Sequence, residues 1–156
     1  MSTADLWGVE ALPELIRMGV NGVKVEGRMR SPLYVYLTSN IYSRAIKRAE
    51  KGEEPLITER ERELLQVVFN RGFSRGYLYE DSVMQRKYSG SRGLPLGRAT
   101  SDGESLLAKA EILKPNDGVT LYRGDVKVGG FTVKTVEGKD GILVLSPPFR
   151  VPRGEY

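Results

Sequence analysis

The sequence predicts an α+β protein: an N-terminal helix-strand-helix-helix segment followed by a small antiparallel β-barrel. Three observations predict it. Apolar residues recur at helical spacing in three separate stretches before residue 70. A single β-branched run, Val20 to Val25, lies between the first two. Beyond residue 94 the pattern changes to short strand-like runs separated by Gly, Asp and Asn turns.

Length and composition set the outer bounds. The 156 residues suffice for one ordinary domain or two very small ones. With 40% apolar and 28% charged residues, no run long enough to span a bilayer and no basic-then-apolar leader, the sequence predicts a cytoplasmic protein. Cys and His are both absent. That removes disulfides, thiolate nucleophiles, zinc–thiolate sites and cysteine-held iron–sulfur clusters, and leaves acid–base work to carboxylates, Lys or Tyr. Abundant Glu, Lys and Arg without Cys fit a thermophile-like composition. The net charge of +4 permits an RNA partner without requiring one.

Asp5 reads as an N-cap ahead of Leu6, Val9, Leu12, Leu15 and Ile16. Pro13 breaks that pattern, so the helix proper is expected from Pro13 to Met18, with Gly19 closing it. Val20 to Val25 is then a strand, and a strand between two helices is a parallel one that needs neighbours. Ser31 caps a second helix from Pro32 to Lys51, which ends at Gly52 and carries Arg48 and Lys51 in its last turns, where the helix dipole favours cations. Tyr34, Tyr36 and Tyr42 on this helix could stack on bases, although helical spacing more often marks core or interface residues. Thr58 and Glu61 form the capping box of a third helix.

Residues 1–76 are thus one segment and 77–93 an irregular linker in which glycines, tyrosines and arginines alternate without periodicity. Residues 94–156 form the β-barrel. Its expected strands are Leu96 to Thr100, Leu106 to Leu113, Gly118 to Arg123, Val126 to Glu137 and Ile142 to Leu145, with turns that include Lys139-Asp140-Gly141. Gly129-Gly130 inside a strand marks a bulge or a corner.

Lys24, Glu26 and Arg28 at the end of the Val20 strand are the candidate catalytic residues, because strand ends and the loops after them face ligands in α/β units. Two cations around an anion suit recognition of a carboxylate, a phosphate or a base edge; a mutual salt-bridge cluster is the competing reading. Arg71, Arg75, Tyr77, Arg86, Lys87, Arg92 and Arg98, interleaved with Tyr79 and Tyr88, are the candidate nucleic-acid-binding set, since phosphates attract the cations and unpaired bases stack on the rings. Glu80 and Asp81 interrupt it, which also fits a solvated linker of mixed charge.

Several blocks resemble the collagenase-like peptidase family, peptidase family U32: Asp5-Leu6, Leu12-Pro13-Glu14-Leu15-Ile16, Gly19-Val20, Lys24-Val25-Glu26-Gly27-Arg28-Met29 with Ser31-Pro32 and Tyr34, Phe69-Asn70-Arg71-Gly72-Phe73 with Gly76, and Arg92-Gly93 with Pro95 and Gly97. The resemblance implies that residues 5–52 correspond to the last unit of an α/β barrel. By pattern alone, the final third is similar to a small β-barrel akin to the second domain of elongation factors. It further implies a split or truncated member whose missing barrel half, or a second copy of the chain, covers its open faces. Better understood relatives are associated with hydroxylation of transfer RNA, ribosomal RNA or a quinone precursor, using an iron–sulfur cluster. Trp7 stands where many relatives have a cysteine, so this chain itself supplies no cofactor ligand.

The expected function is therefore that of a C-terminal portion or split subunit of a U32-like protein, contributing to RNA or small-substrate modification more than to proteolysis. Autonomous peptidase activity lacks a nucleophile: Cys and His are missing, and no Ser-x-x-Lys adjoins the Lys24 block. The alternative is a non-catalytic binding and assembly module that forms a homo-oligomer. No membrane association is expected.

Overall fold

The computed structural model describes residues 2–109, 113–139 and 142–156. The chain is mixed α/β with three α-helices and mostly antiparallel strands, and divides into two compact units, one ending at Leu94 and the other beginning at Pro95.

In the first unit β1 (Ser2–Thr3) and β2 (Asp5–Leu6) lead through a 3-10 turn at Val9–Ala11 into α1 (Leu12–Arg17). Asp5 is not the cap read from the sequence. The 3-10 turn intervenes, Ala11 occupies the N-cap position, and Asp5 sits in a strand. Gly19, at φ +81°, ends α1 as expected: its amide donates to the Ile16 carbonyl, and the Val20 amide donates to the Leu15 carbonyl, two bonds that satisfy end carbonyls of the helix.

Residues 20–27 do not form the expected strand. They run without ladder partners, and Val20, Val23 and Val25 are all exposed. The β-branched composition favours extended backbone, but a strand needs a neighbour to bond with, and among the described residues none lies beside this stretch.

Helix α2 (Pro32–Lys51) starts where Ser31 Oγ accepts the Tyr34 amide and stops at Gly52 in the left-handed region. Thr38, Ile41 and Ala45, at helical spacing, form its buried stripe. Helix α3 (Glu59–Val68) has a complete capping box: Thr58 Oγ1 accepts the Glu61 amide at 3.2 Å and Glu61 Oε2 accepts the Thr58 amide at 2.7 Å. Trp7, Val9, Leu12, Ile41, Ala45, Leu56, Ile57 and Leu65 close the core between these elements.

The chain after α3 returns to the N-terminus. Strand β3 (Phe73–Ser74) pairs in parallel with β2, and β4 (Met84–Gln85) pairs antiparallel with β1. Residues 77–93 therefore carry structure of their own, including part of a 3-10 turn at Gly76–Tyr79. Pairings of two residues leave no periodicity to read in a sequence.

The second unit has a five-stranded sheet in the order β11 (Gly154–Glu155), β5 (Ala99–Ser101), β6 (Leu106–Lys109), β10 (Ile142–Leu145), β9 (Glu137–Lys139), and a hairpin of β7 (Gly118–Arg123) and β8 (Val126–Thr132). The two share one core built on Leu106, Val119, Leu121, Phe131, Val133 and Leu145. The hairpin register shifts between Leu121 and Tyr122, so a bulge lies beside Gly129 as the glycine pair suggested. The long run from Val126 to Glu137 leaves the ladder after Thr132: the Val133 amide donates to the Asp117 carbonyl and the Val133 carbonyl accepts the Asn116 amide, in the turn before β7. The far end of the expected Leu106 to Leu113 strand and most of the Lys139-Asp140-Gly141 turn lie outside the described residues.

Candidate substrate and nucleic-acid site

The loop between residues 24 and 31 is a built turn. The Arg30 amide donates to the Gly27 carbonyl at 3.1 Å, and Met29 takes a positive φ of 60° that few side chains adopt. A Cβ on Gly27 would lie 3.1 Å from Cγ2 of the exposed Val35, which would have to give by a few tenths of an ångström. Two bonds brace the turn from the Glu26 side. The Glu26 carboxylate accepts the Arg28 amide at 2.9 Å, and the Glu26 carbonyl accepts the Tyr34 hydroxyl at 3.3 Å.

Lys24, Glu26 and Arg28 are all exposed, and among the described residues no ion pair links them. The geometry gives the three groups different tasks. Glu26 holds the backbone of its own loop, whereas the side-chain charges of Lys24 and Arg28 are presented to solvent, where they can meet an anion.

Arg30 is the residue that sequence reasoning missed. Its guanidinium lies over the Phe69 ring at 3.5 Å and near Tyr34 at 5.9 Å, while Tyr34 and Phe69 meet edge-to-face at 6.3 Å. A planar cation held flat on a ring is a fixed fork of donors. Its signal in the sequence was only the cationic run around Met29; Phe69 is 39 positions away and could not be paired with it.

The predicted nucleic-acid set divides by partner. Arg71 donates three bonds to the Asp5 carboxylate, two from the guanidinium and one from its amide. Arg75 grips Asp81 through Nε at 2.9 Å and Nη2 at 3.2 Å and lies near Glu10. The Arg75 hydrogen bond holds the Asp81 carboxyl below its usual range, and the same bond raises the Arg75 guanidinium. The half-buried Arg92 lies over the Tyr88 ring at 4.0 Å. Arg71 and Arg75 are thus paired within the chain, the Arg75 side chain while still 43% exposed, and Arg92 rests on a ring. Tyr77, Arg86 and Lys87 are exposed in the first unit, and Arg98 is exposed in the second. Asp81, which looked like an interruption of a basic surface, is the partner that holds Arg75.

A cluster of the kind held by cysteines does not fit this chain. The sequence has no Cys and no His, and the described residues contain no group of three or more carboxylates placed to hold a metal. No helix among the described residues is long and apolar enough to cross a membrane.

Comparison with known proteins adds the context. The chain is 25% identical over 151 residues to the tRNA hydroxylation protein P1 of Bacillus subtilis, covering 90% of this chain and 36% of that protein. It is 40% identical over 80 residues to a collagenase of Porphyromonas gingivalis, covering 49% of this chain and 22% of that one. It is 35% identical over 78 residues to the tRNA hydroxylation protein P of Escherichia coli, covering 50% and 17%. The chain thus spans about a third or less of the length of these curated relatives. No solved structure matches. The profile of Peptidase family U32 matches residues 1–87, more than half of the sequence and all of the loop described above, and the chain belongs to that family.

Proposed function

We propose that this chain is the binding portion of an RNA-modifying U32 assembly, in which Lys24, Arg28 and the braced Glu26 turn form one wall of a substrate site completed by another polypeptide. The observation that carries the reading is the unpaired stretch 20–27. It presents backbone without ladder partners, three exposed valines and the cation of Lys24, with Arg28 directly after it, next to the exposed Leu33 and Tyr36 of α2. Backbone of this kind gains by adding to a sheet, and the chain corresponds to only part of the proteins it resembles. Two relatives named for tRNA hydroxylation support RNA as the substrate class.

In this reading the chain supplies binding and orientation, and the redox or hydrolytic groups come from elsewhere. Self-contained proteolysis finds no support in a chain without Cys or His, whose Glu26 carboxylate is occupied by a backbone amide.

The test is transfer RNA binding by fluorescence anisotropy across a salt series. The native chain, alone or with its partner, is expected to bind with a salt-dependent constant, and Lys24→Ala with Arg28→Ala to weaken binding about tenfold and flatten the salt slope by about 1 to 2. Binding unchanged by that pair, or cleavage of gelatin by the chain alone, would overturn the reading.

A further inference from the structure

The geometry points to a second anion site, in the C-terminal unit: Arg150 and Arg153, at the mouth of a cleft of about 730 Å³ beside Asp102, Gly103 and Glu104, bind the phosphate of an unpaired RNA nucleotide. This rests on the reading of the chain as an RNA-binding protein, but on residues distant in sequence from the Lys24 loop and outside the family match.

The segment 150–156 is held by arginine hydrogen bonds to neutral acceptors. Arg153 Nε donates to the Asp102 carbonyl at 2.6 Å. Arg123 Nη2 donates to the Arg153 carbonyl at 3.0 Å and to the Tyr156 hydroxyl at 2.8 Å, and its guanidinium lies over the Tyr156 ring at 4.7 Å. The Tyr156 hydroxyl in turn donates to the Pro152 carbonyl at 2.6 Å. No carboxylate among the described residues pairs with Arg123, Arg150 or Arg153. Carbonyls and hydroxyls orient a guanidinium without cancelling its charge, so Arg150 and Arg153 keep charge and donors for an anion in the cleft, with the Asp102 carboxylate feeling the Arg153 charge.

The backbone is shaped for this arrangement. Gly154 has φ +136°, and a Cβ there would stand 2.8 Å from Arg123 Nη2. Gly103, at φ +102°, turns the opposite wall past Arg153. The Asp102 carboxylate accepts the Glu104 and Ser105 amides at 2.8 and 2.7 Å, which hold its carboxyl below the usual range and keep it in the turn. The exposed Glu104 carboxylate is then the acidic group free to act at the rim.

A cleft lined by two cations and a free acceptor fits a nucleotide better than a simple anion. The guanidinium groups take the phosphate, and Glu104 accepts from the Watson–Crick edge of a base, which pairing occupies in a duplex. An acidic peptide would satisfy the arginines and be repelled by Glu104.

The test is anisotropy with a labelled 12-nucleotide single-stranded RNA, its duplex form and polyglutamate as probes, using the full chain. Arg150→Ala with Arg153→Ala is expected to weaken single-strand binding about tenfold and lower the salt slope by about 1.4. Glu104→Ala, which removes the acceptor at an exposed position, is expected to lose the preference for single strand over duplex, a change that a damaged fold would not produce selectively. Single-strand binding that survives the double substitution while Lys24→Ala with Arg28→Ala abolishes it overturns this site and leaves the proposed function standing. Absence of RNA binding by the native chain overturns both, and equal loss of polyglutamate and RNA binding would make this an acidic-peptide surface instead.

Discussion

The Asp5 carboxylate in β2 is bonded to Arg71, 66 positions away and just before β3: Asp5 Oδ1 lies 2.6 Å from Nη2 and 3.0 Å from Nε, and Oδ2 accepts the Arg71 amide at 2.8 Å. The parallel pair that this bond closes has two residues on each strand, too few to hold by ladder bonds alone. Asp5→Ala should therefore lower the stability of the first unit by about 1 to 3 kcal/mol, since a half-buried guanidinium is left without acceptors. Trp7, the single tryptophan and a member of that core, reports the transition by fluorescence in denaturant. An unchanged midpoint would mean that the pair is ornamental.

Glu61 gives a pH prediction. Burial pushes its carboxyl up, but the Thr58 amide and hydroxyl and the Arg48 guanidinium together outweigh burial and lower it. Arg44 adds an ion pair at 2.8 Å. A carboxyl lowered in the folded state contributes stability above its unfolded value, near 4.3, and loses that contribution as pH falls through the folded value. The Trp7 midpoint should decline as pH falls below about 4.3, and Glu61→Gln should flatten part of that decline while costing about 2 kcal/mol at pH 7. A native and a Gln variant with parallel pH profiles would contradict this.

Gly129 tests the second unit. A Cβ there would lie 2.5 Å from Phe149 Cζ, and Phe149 meets the buried Phe131 ring edge-to-face at 6.1 Å. Gly129→Ala should destabilise this unit by about 1 to 3 kcal/mol, read from the tyrosine near-ultraviolet signal, and leave the Trp7 transition in place.

The exposed apolar side chains from Val23 to Tyr36 predict association. Leu33→Ser with Tyr36→Ser should abolish partner capture or self-association without loss of helix signal, because both residues are more than half exposed and outside the core. Sedimentation velocity at several concentrations checks it.

The helices were legible because their signals are local. Ser31 to Gly52 and the Thr58–Glu61 box can be read within a few residues, and the structure places both where the sequence did. The glycine pair beside the bulge belongs to the same class. What could not be read depends on a partner far along the chain. The Val20 run has strand composition and no neighbour, Asp5 looked like a cap because Arg71 was invisible to it, and Arg30 needed Phe69 to become a fixed cation. The arginine-rich stretch showed its charge but not its pairing, so paired arginines such as Arg75 could not be told from exposed cations such as Arg86.

Residues 20–36 are proposed above as a face that another polypeptide covers in an RNA-modifying assembly. The most direct test is native mass by light scattering, for the chain alone and after co-expression with the product of the neighbouring reading frame. The account predicts a stable heteromeric complex, with the amides of residues 20–27 protected from hydrogen exchange only within it. A chain that remains monomeric at every concentration, with or without that product, and keeps its helix signal and its exchange pattern, would contradict it.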